Sequence, residues 1–311
     1  MKFAFIFPGQ GSQTIGMLSE LNSNYPIVKH TFDEASEILN YDLWKLSQEG
    51  PKETLNQTDK TQPALLAAGI AIWRVWQQQG GGKPELMAGH SFGEYTALVC
   101  SEALKYTDTV SLAESRGRFM QTAVSEGEGA MAAILGLSDE ATIQACNDAT
   151  QGQVVTAVNF NAPGQVVIAG HTDAVKRAIV LAKEAGAKKA ILLAVSVPSH
   201  SSLMQPAAEK MQERLLEVEI ISPTIPVIHN VDVTTKTVPD AIRAALVAQL
   251  HNPVRWVEAI NKIADAGIDL LFESGPGKVL TGLNKRINKN LTTKPIIDSK
   301  TLEQAIEAKA F

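Results

Sequence analysis

Apolar residues along the chain fall into short unbroken runs that alternate with longer stretches of helical period. Residues 3–7 (Phe-Ala-Phe-Ile-Phe) form one such run, closed by Pro8-Gly9. This is the pattern of a strand covered on both faces in a parallel sheet. A loop follows at Gly9-Gln10-Gly11-Ser12-Gln13. Apolar positions then recur at helical spacing over 62–79 until Gly80-Gly81-Gly82 stops them, and 85–89 reads as a second short strand. Helix, glycine stop, strand, tight turn and helix is the rhythm of a parallel α/β sheet.

The rhythm changes after Gly127 and Gly129. The pattern predicts a strand at 130–135, a helix at 139–148, strands at 154–159 and 165–169 joined about Pro163-Gly164, a helix at 172–185 and a strand at 187–195. The order β-α-β-β-α-β is the split βαβ, or ferredoxin-like, unit. It predicts a small domain over 127–196, inserted between segments 1–126 and 197–311 of a larger one. Beyond Pro198 the α/β pattern resumes. Helices are predicted at 203–218, 241–250 and 254–266, with strands at 225–231 and 268–273. The latter is the final strand, turned by Gly275-Pro276-Gly277 into a basic helix near Lys285 and Arg286.

The chain has 311 residues, 45% hydrophobic and 20% charged. That suffices for about two domains with cores of their own and excludes disorder, collagen and coiled coil. The net charge of −5 argues against a nucleic-acid binder. Two cysteines, Cys100 and Cys146, are too few for a disulfide framework or a Cys-rich metal site, and free thiols suit a reducing compartment. The N-terminal apolar run is too short for a signal segment or a membrane span. A cytoplasmic protein without membrane contact is therefore expected.

Chemistry enters at Gly89-His90-Ser91-Phe92-Gly93, a G-x-S-x-G sequence between a predicted strand and a predicted helix. That context is the nucleophile elbow, in which a sharp turn exposes the serine hydroxyl at the C-terminal end of a sheet. The Phe92 N–H and the helix N-terminus would then face an oxyanion. The competing reading is a Gly-Ser-Gly turn without chemistry. A serine needs a base. Of six histidines, His90 shares the turn and should point away from Ser91. His30, His171, His229 and His251 have no evident link to it. His200 follows Val195-Ser196-Val197-Pro198-Ser199 where the chain re-enters the large domain, a cleft position; a histidine without chemistry is the alternative.

At 100° per residue, Val110, Leu112, Ala113, Phe119, Met120, Ala123 and Val124 share one face of a helix over 108–124, with Arg116 near its middle. Arg118 falls opposite, with Ser111, Ser115 and Thr122. An inward, unpaired guanidinium costs several kcal/mol, so Arg116 must meet a carboxylate, either of the protein or of a ligand.

Taken together, these residues resemble the bacterial malonyl-CoA:acyl carrier protein transacylase family, essentially end to end. The resemblance is carried by Phe7-Pro8-Gly9-Gln10-Gly11-Ser12-Gln13, Gly89-His90-Ser91-Phe92-Gly93-Glu94, Arg116-Gly117-Arg118-Phe119-Met120 and Asn159-Phe160-Asn161. It is carried further by Pro163-Gly164-Gln165, Val197-Pro198-Ser199-His200 and Gly275-Pro276-Gly277-Lys278. It implies an α/β-hydrolase-like large domain with a ferredoxin-like small one. It implies malonyl transfer from malonyl-CoA to acyl carrier protein for fatty-acid synthesis. Ser91 would be the nucleophile, His200 its base, Arg116 the holder of the malonyl carboxylate, and Gln10 and the Phe92 N–H the oxyanion hole. The Gln249 carbonyl would orient His200, and Asn159 would line the cleft. No metal or cofactor is implied, and a monomer is expected. Acyl carrier proteins are acidic, which makes Lys188, Lys189, Lys285 and Arg286 candidates for docking. Two positions depart from the family pattern: Phe92 where an aliphatic residue is more usual, and Ala162 in place of serine. Two other functions compete for the same residues. A serine hydrolase on the same elbow would carry an acid between Ser and His, and none stands out. A docking subunit without activity is hard to square with Ser91, His200, Arg116 and Gln10 all present.

Overall fold

The computed structural model describes residues 2–195 and 197–309. Met1, Ser196, Ala310 and Phe311, which include limits of the predicted domains, lie outside the described residues. The strands, in chain order, are β1 (Phe3–Phe7), β2 (Leu86–Gly89), β3 (Gly129–Leu135), β4 (Val155–Ala162), β5 (Gln165–His171), β6 (Lys189–Leu192), β7 (Val227–Ile228), β8 (Leu270–Ser274) and β9 (Thr292–Ile296).

Five of them form one sheet in the order β7-β2-β1-β8-β9, parallel throughout. Every residue of β1 and β8 is buried, as a central strand between two helical layers requires. Phe3, Phe5, Phe272 and Trp76 pack edge-on or tilted on one side of this sheet, with centroids 5.0–5.7 Å apart for Phe5–Trp76, Phe3–Trp76 and Phe5–Phe272. The Thr58–Gln78 helix, which carries Trp76, is buried over most of its length.

The remaining four strands form an antiparallel sheet in the order β4-β5-β3-β6, with helices Asp139–Ala149 and Thr172–Glu184 as its crossovers. This is the ferredoxin-like unit. Its second face carries a small apolar cluster of Met131, Val158, Val167 and Ala169. The unit is stitched to the large domain at β4, where the Phe160 N–H donates to the Val254 carbonyl and the Val254 N–H donates to the Val158 carbonyl. Ala162 is buried among large-domain residues such as Trp256 and Ile260.

Several expectations are corrected. The strand predicted at 268–273 is not the last, because β9 adds a further parallel strand at the sheet edge. Thr-Thr-Lys-Pro-Ile does not read as a strand, but a proline is tolerated at an edge. The strand expected at 225–231 shrinks to two residues, because the chain leaves the sheet at His229 and Asn230 to brace the serine turn. Helices at Ile27–Leu39 and Leu43–Glu49 and a terminal helix at Ser299–Lys309 had no counterpart in the sequence reading. The helix containing Arg116 runs Tyr106–Gln121, and Ser115, assigned to its watery face, is buried. That helix packs against both Thr58–Gln78 and Gln205–Leu216, so its apolar environment covers more than one stripe.

Candidate active site

The Gly89-His90-Ser91-Phe92-Gly93 turn joins β2 to the Gly93–Cys100 helix. Ser91 has φ 51°, in the left-handed region, a strain of order 1–3 kcal/mol that persists only where the surroundings enforce it. Two glycines make the turn possible. A Cβ on Gly89 would sit 1.9 Å from the Gly93 carbonyl carbon, and one on Gly93 would sit 2.1 Å from the Phe7 carbonyl oxygen. Asn230 clamps the turn. Its Oδ1 accepts from the Ser91 N–H at 2.8 Å, and its Nδ2 donates to the Gly89 carbonyl at 2.7 Å.

Ser91 Oγ and His200 Nε2 lie 2.7 Å apart. His200 is also left-handed, with φ 66°, and is 2% exposed. Its Nδ1 lies 2.7 Å from the Gln249 carbonyl oxygen. A carbonyl only accepts, so Nδ1 carries the proton and Nε2 presents its lone pair to the serine hydroxyl. The ring is therefore set in the tautomer a general base needs.

Burial, and then the nearby Arg116 guanidinium, depress the His200 pKa from its ordinary 6.5 to about 3. The neutral ring, which can take a proton, is thus the resting form throughout the neutral range. Single-turnover acylation is expected to stay flat from about pH 8 to pH 5, with no limb near 6.5; a titration midpoint near 6.5 would show that His200 is not held neutral. The same shift makes stability pH-dependent. Between about 3 and 6.5 the unfolded chain binds a proton at this residue that the folded chain refuses, so the contribution present above pH 6.5 is lost as pH falls towards 3.

Arg116 is 1% exposed and meets no protein carboxylate directly among the described residues. Its Nη2 donates to Gln249 Oε1 at 2.9 Å and its Nη1 to Met120 Sδ at 3.2 Å. The guanidinium lies over the rings of Tyr95 and Phe92, 5.4 and 5.8 Å from their centroids, and those rings are stacked on each other. None of these partners neutralises the charge. The bulky Phe92 thus forms an aromatic floor beneath the cation.

These groups open on one cavity of about 400 Å³. Gln10, His90, Ser91, Phe92, Arg116 and His200 line it from the large domain, and Met131, Asn159, Val167 and Leu193 from the small one. Gln10 is exposed, with its side-chain amide 3.4 Å from Thr58 Oγ1. Among the described residues, no protein acceptor takes the backbone N–H of Gln10 or of Phe92. Asn159 sits at a β-bulge of β4, and its buried Oδ1 has no partner among the described residues. His90 turns from Ser91 to Asn161, 2.7 Å away, and packs on Trp256.

Sequence reasoning missed Glu94, His229 and Asn230. His229 does connect to Ser91, through Glu94 and Asn230. A signal was present for Glu94. It is the sole charge in Glu94-Tyr95-Thr96-Ala97-Leu98-Val99-Cys100, and a helix without a polar face is a buried one.

The fold and site together are those of an acyltransferase, and residues 4–293 match the family model of the acyl transferase domain. The chain is 56% identical over 306 residues to malonyl CoA-acyl carrier protein transacylase of Escherichia coli K12, covering 98% of this chain and 99% of that one. The crystal structure of an acyl carrier protein S-malonyltransferase from Vibrio cholerae superposes with a TM-score of 0.96 at 57% identity, over 98% and 99% of the two chains. A malonyl-transacylase in complex with a type II PKS acyl-carrier protein superposes with a TM-score of 0.98 at 54% identity, over 99% and 100%. The chain belongs to the malonyl CoA-acyl carrier protein transacylase family.

Proposed function

We propose that this chain moves the malonyl group of malonyl-CoA to the phosphopantetheine thiol of an acyl carrier protein through an ester on Ser91. One observation carries the reading. The 2.7 Å Ser91–His200 contact and the un-neutralised guanidinium of Arg116 share a single cavity.

Ser91 Oγ attacks the thioester carbonyl as His200 Nε2 takes its proton. The Phe92 and Gln10 N–H groups receive the oxyanion; one such donor is worth about 3 kcal/mol. The tetrahedral intermediate collapses, the C–S bond breaks, and the imidazolium returns the proton to the CoA thiolate. Arg116 holds the distal carboxylate of the malonyl ester. The carrier thiol then attacks the ester, giving its proton to His200, and the serine leaves with it. These are two half-reactions of ping-pong form. Malonyl-CoA and the phosphopantetheine thiol of the carrier are the substrates, and none of these steps calls on a cofactor.

Lys188, Lys189, Lys285 and Arg286 are candidates for docking an acidic carrier, with a solvated charged face as the alternative for each. Arg286 is already drawn onto Gln165 and the Pro163 carbonyl. We place the small domain at 127–196 within 1–126 and 197–311. Among the described residues no helix is long and apolar enough to cross a membrane, and we assign the chain to the cytoplasm, in keeping with its two free cysteines.

A hydrolase would need an acid on His200, and that place is taken by the Gln249 carbonyl. Incubation with malonyl-CoA and phosphopantetheinylated carrier decides between them. Malonyl-carrier is the expected product; rapid release of free malonate would overturn the transfer reading.

A further inference from the structure

Glu94 is fully buried in the first turn of the helix that leaves the serine turn, and it takes no part in the steps above. Its Oε1 accepts from His229 Nδ1 at 2.7 Å. Its Oε2 accepts from the Asn230 N–H at 2.9 Å, from Asn230 Nδ2 and from Gln249 Nε2 at 2.9 Å. A carboxylate taken so far from water is costly unless its lone pairs are filled, and here four donors fill them.

The network meets the reaction at Gln249. The main-chain carbonyl of this residue receives the His200 Nδ1–H. Its side-chain oxygen receives Arg116 Nη2. Its side-chain NH2 donates to Glu94 and, at 3.0 Å, to the Ser91 carbonyl. Turning that amide over would set NH2 against a guanidinium and oxygen against a carboxylate. Glu94 and Arg116 therefore allow only one orientation. Gln249 thus touches the serine turn, the base and the cation at once, and Glu94 holds it there.

Resting on the assignment of Ser91 as the acylated residue, we propose that Glu94 is a positioning residue. Through Gln249 it holds His200 and Arg116 in register with Ser91, and it thereby sets both the acylation rate and the preference for an acyl group ending in a carboxylate. The residue acts through its acceptor oxygens. In Glu94→Gln the amide oxygen can keep the Oε2 side, where three donors converge, while the NH2 faces His229, whose Nδ1 accepts in its other tautomer. Glu94→Asp keeps the charge but withdraws both oxygens by one methylene.

The test is single-turnover acylation of the full chain by malonyl-CoA and by acetyl-CoA, in wild type, Glu94→Gln, Glu94→Asp and Glu94→Ala, with a thermal melt of each. Glu94→Asp and Glu94→Ala are expected to slow malonyl acylation about 100-fold and acetyl acylation about tenfold, the scale of a misplaced catalytic group. The malonyl-to-acetyl ratio then falls about tenfold, and Glu94→Gln restores it. A purely structural carboxylate would slow both thioesters alike. A wild-type ratio in folded Glu94→Asp or Glu94→Ala overturns the proposal, as does a Glu94→Gln ratio as low as that of alanine. A wild-type chain that takes no acyl group at Ser91 would instead sink the underlying assignment.

Discussion

Ser91→Ala loses malonyl transfer to carrier by at least about 10⁴-fold, the scale seen when a serine enzyme is deprived of its nucleophile. The reasons lie in the turn. Among the described residues, Ser91 Oγ, at 2.7 Å, is the one hydroxyl offered to the His200 lone pair. Alanine is β-substituted like serine, so the left-handed backbone at this position keeps its present strain and its clamp by Asn230. The variant should therefore fold as the wild type does. Steady-state formation of malonyl-carrier, with circular dichroism as the folding control, checks this. Turnover near the wild-type level in a folded variant would remove Ser91 from the chemistry.

Arg116→Ala has the next largest effect, and it falls on selectivity. Truncating one member of a buried charge pair typically costs 2–5 kcal/mol, so malonyl transfer should drop by about 30- to 5,000-fold. Acetyl-CoA presents no distal carboxylate and has nothing to lose from the missing cation. Its transfer should rise relative to malonyl transfer. The cavity left between Gln249, Met120 and the Phe92–Tyr95 stack costs stability as well. Parallel kcat/KM measurements with the two thioesters read the effect as a ratio, in which a general loss of folded enzyme cancels. Retention of the malonyl preference would make Arg116 a structural cation.

Much of the architecture was legible because its signals are local. A run of five apolar residues ending in Pro-Gly gives β1, and the β-α-β-β-α-β order gives the small sheet. Angular placement turned Arg116 inward, where it is found. What escaped was set by tertiary context. β9 carries lysine and proline and survives as a strand only because β8 offers it an edge. The shortening of β7 follows from Asn230 being recruited to the serine turn. Glu94 stands at a helix start, a favourable place for an acid, and the apolar stretch after it signals burial without naming the partners. Its burial comes from His229, Asn230 and Gln249, which lie more than a hundred positions downstream. For Arg116 the sequence leaves open a carboxylate of the protein or of a ligand; its protein neighbour is an amide, with the carboxylate of Glu94 one link behind it.

The most direct measurement is acid-quenched incubation with malonyl-CoA in the absence of any acceptor, followed by digestion and mass spectrometry of the peptides. A malonyl ester on the peptide containing Ser91, discharged when phosphopantetheinylated carrier is added, is the predicted result. An unmodified Ser91 peptide beside a modified residue elsewhere, or free malonate with no covalent adduct, would contradict it.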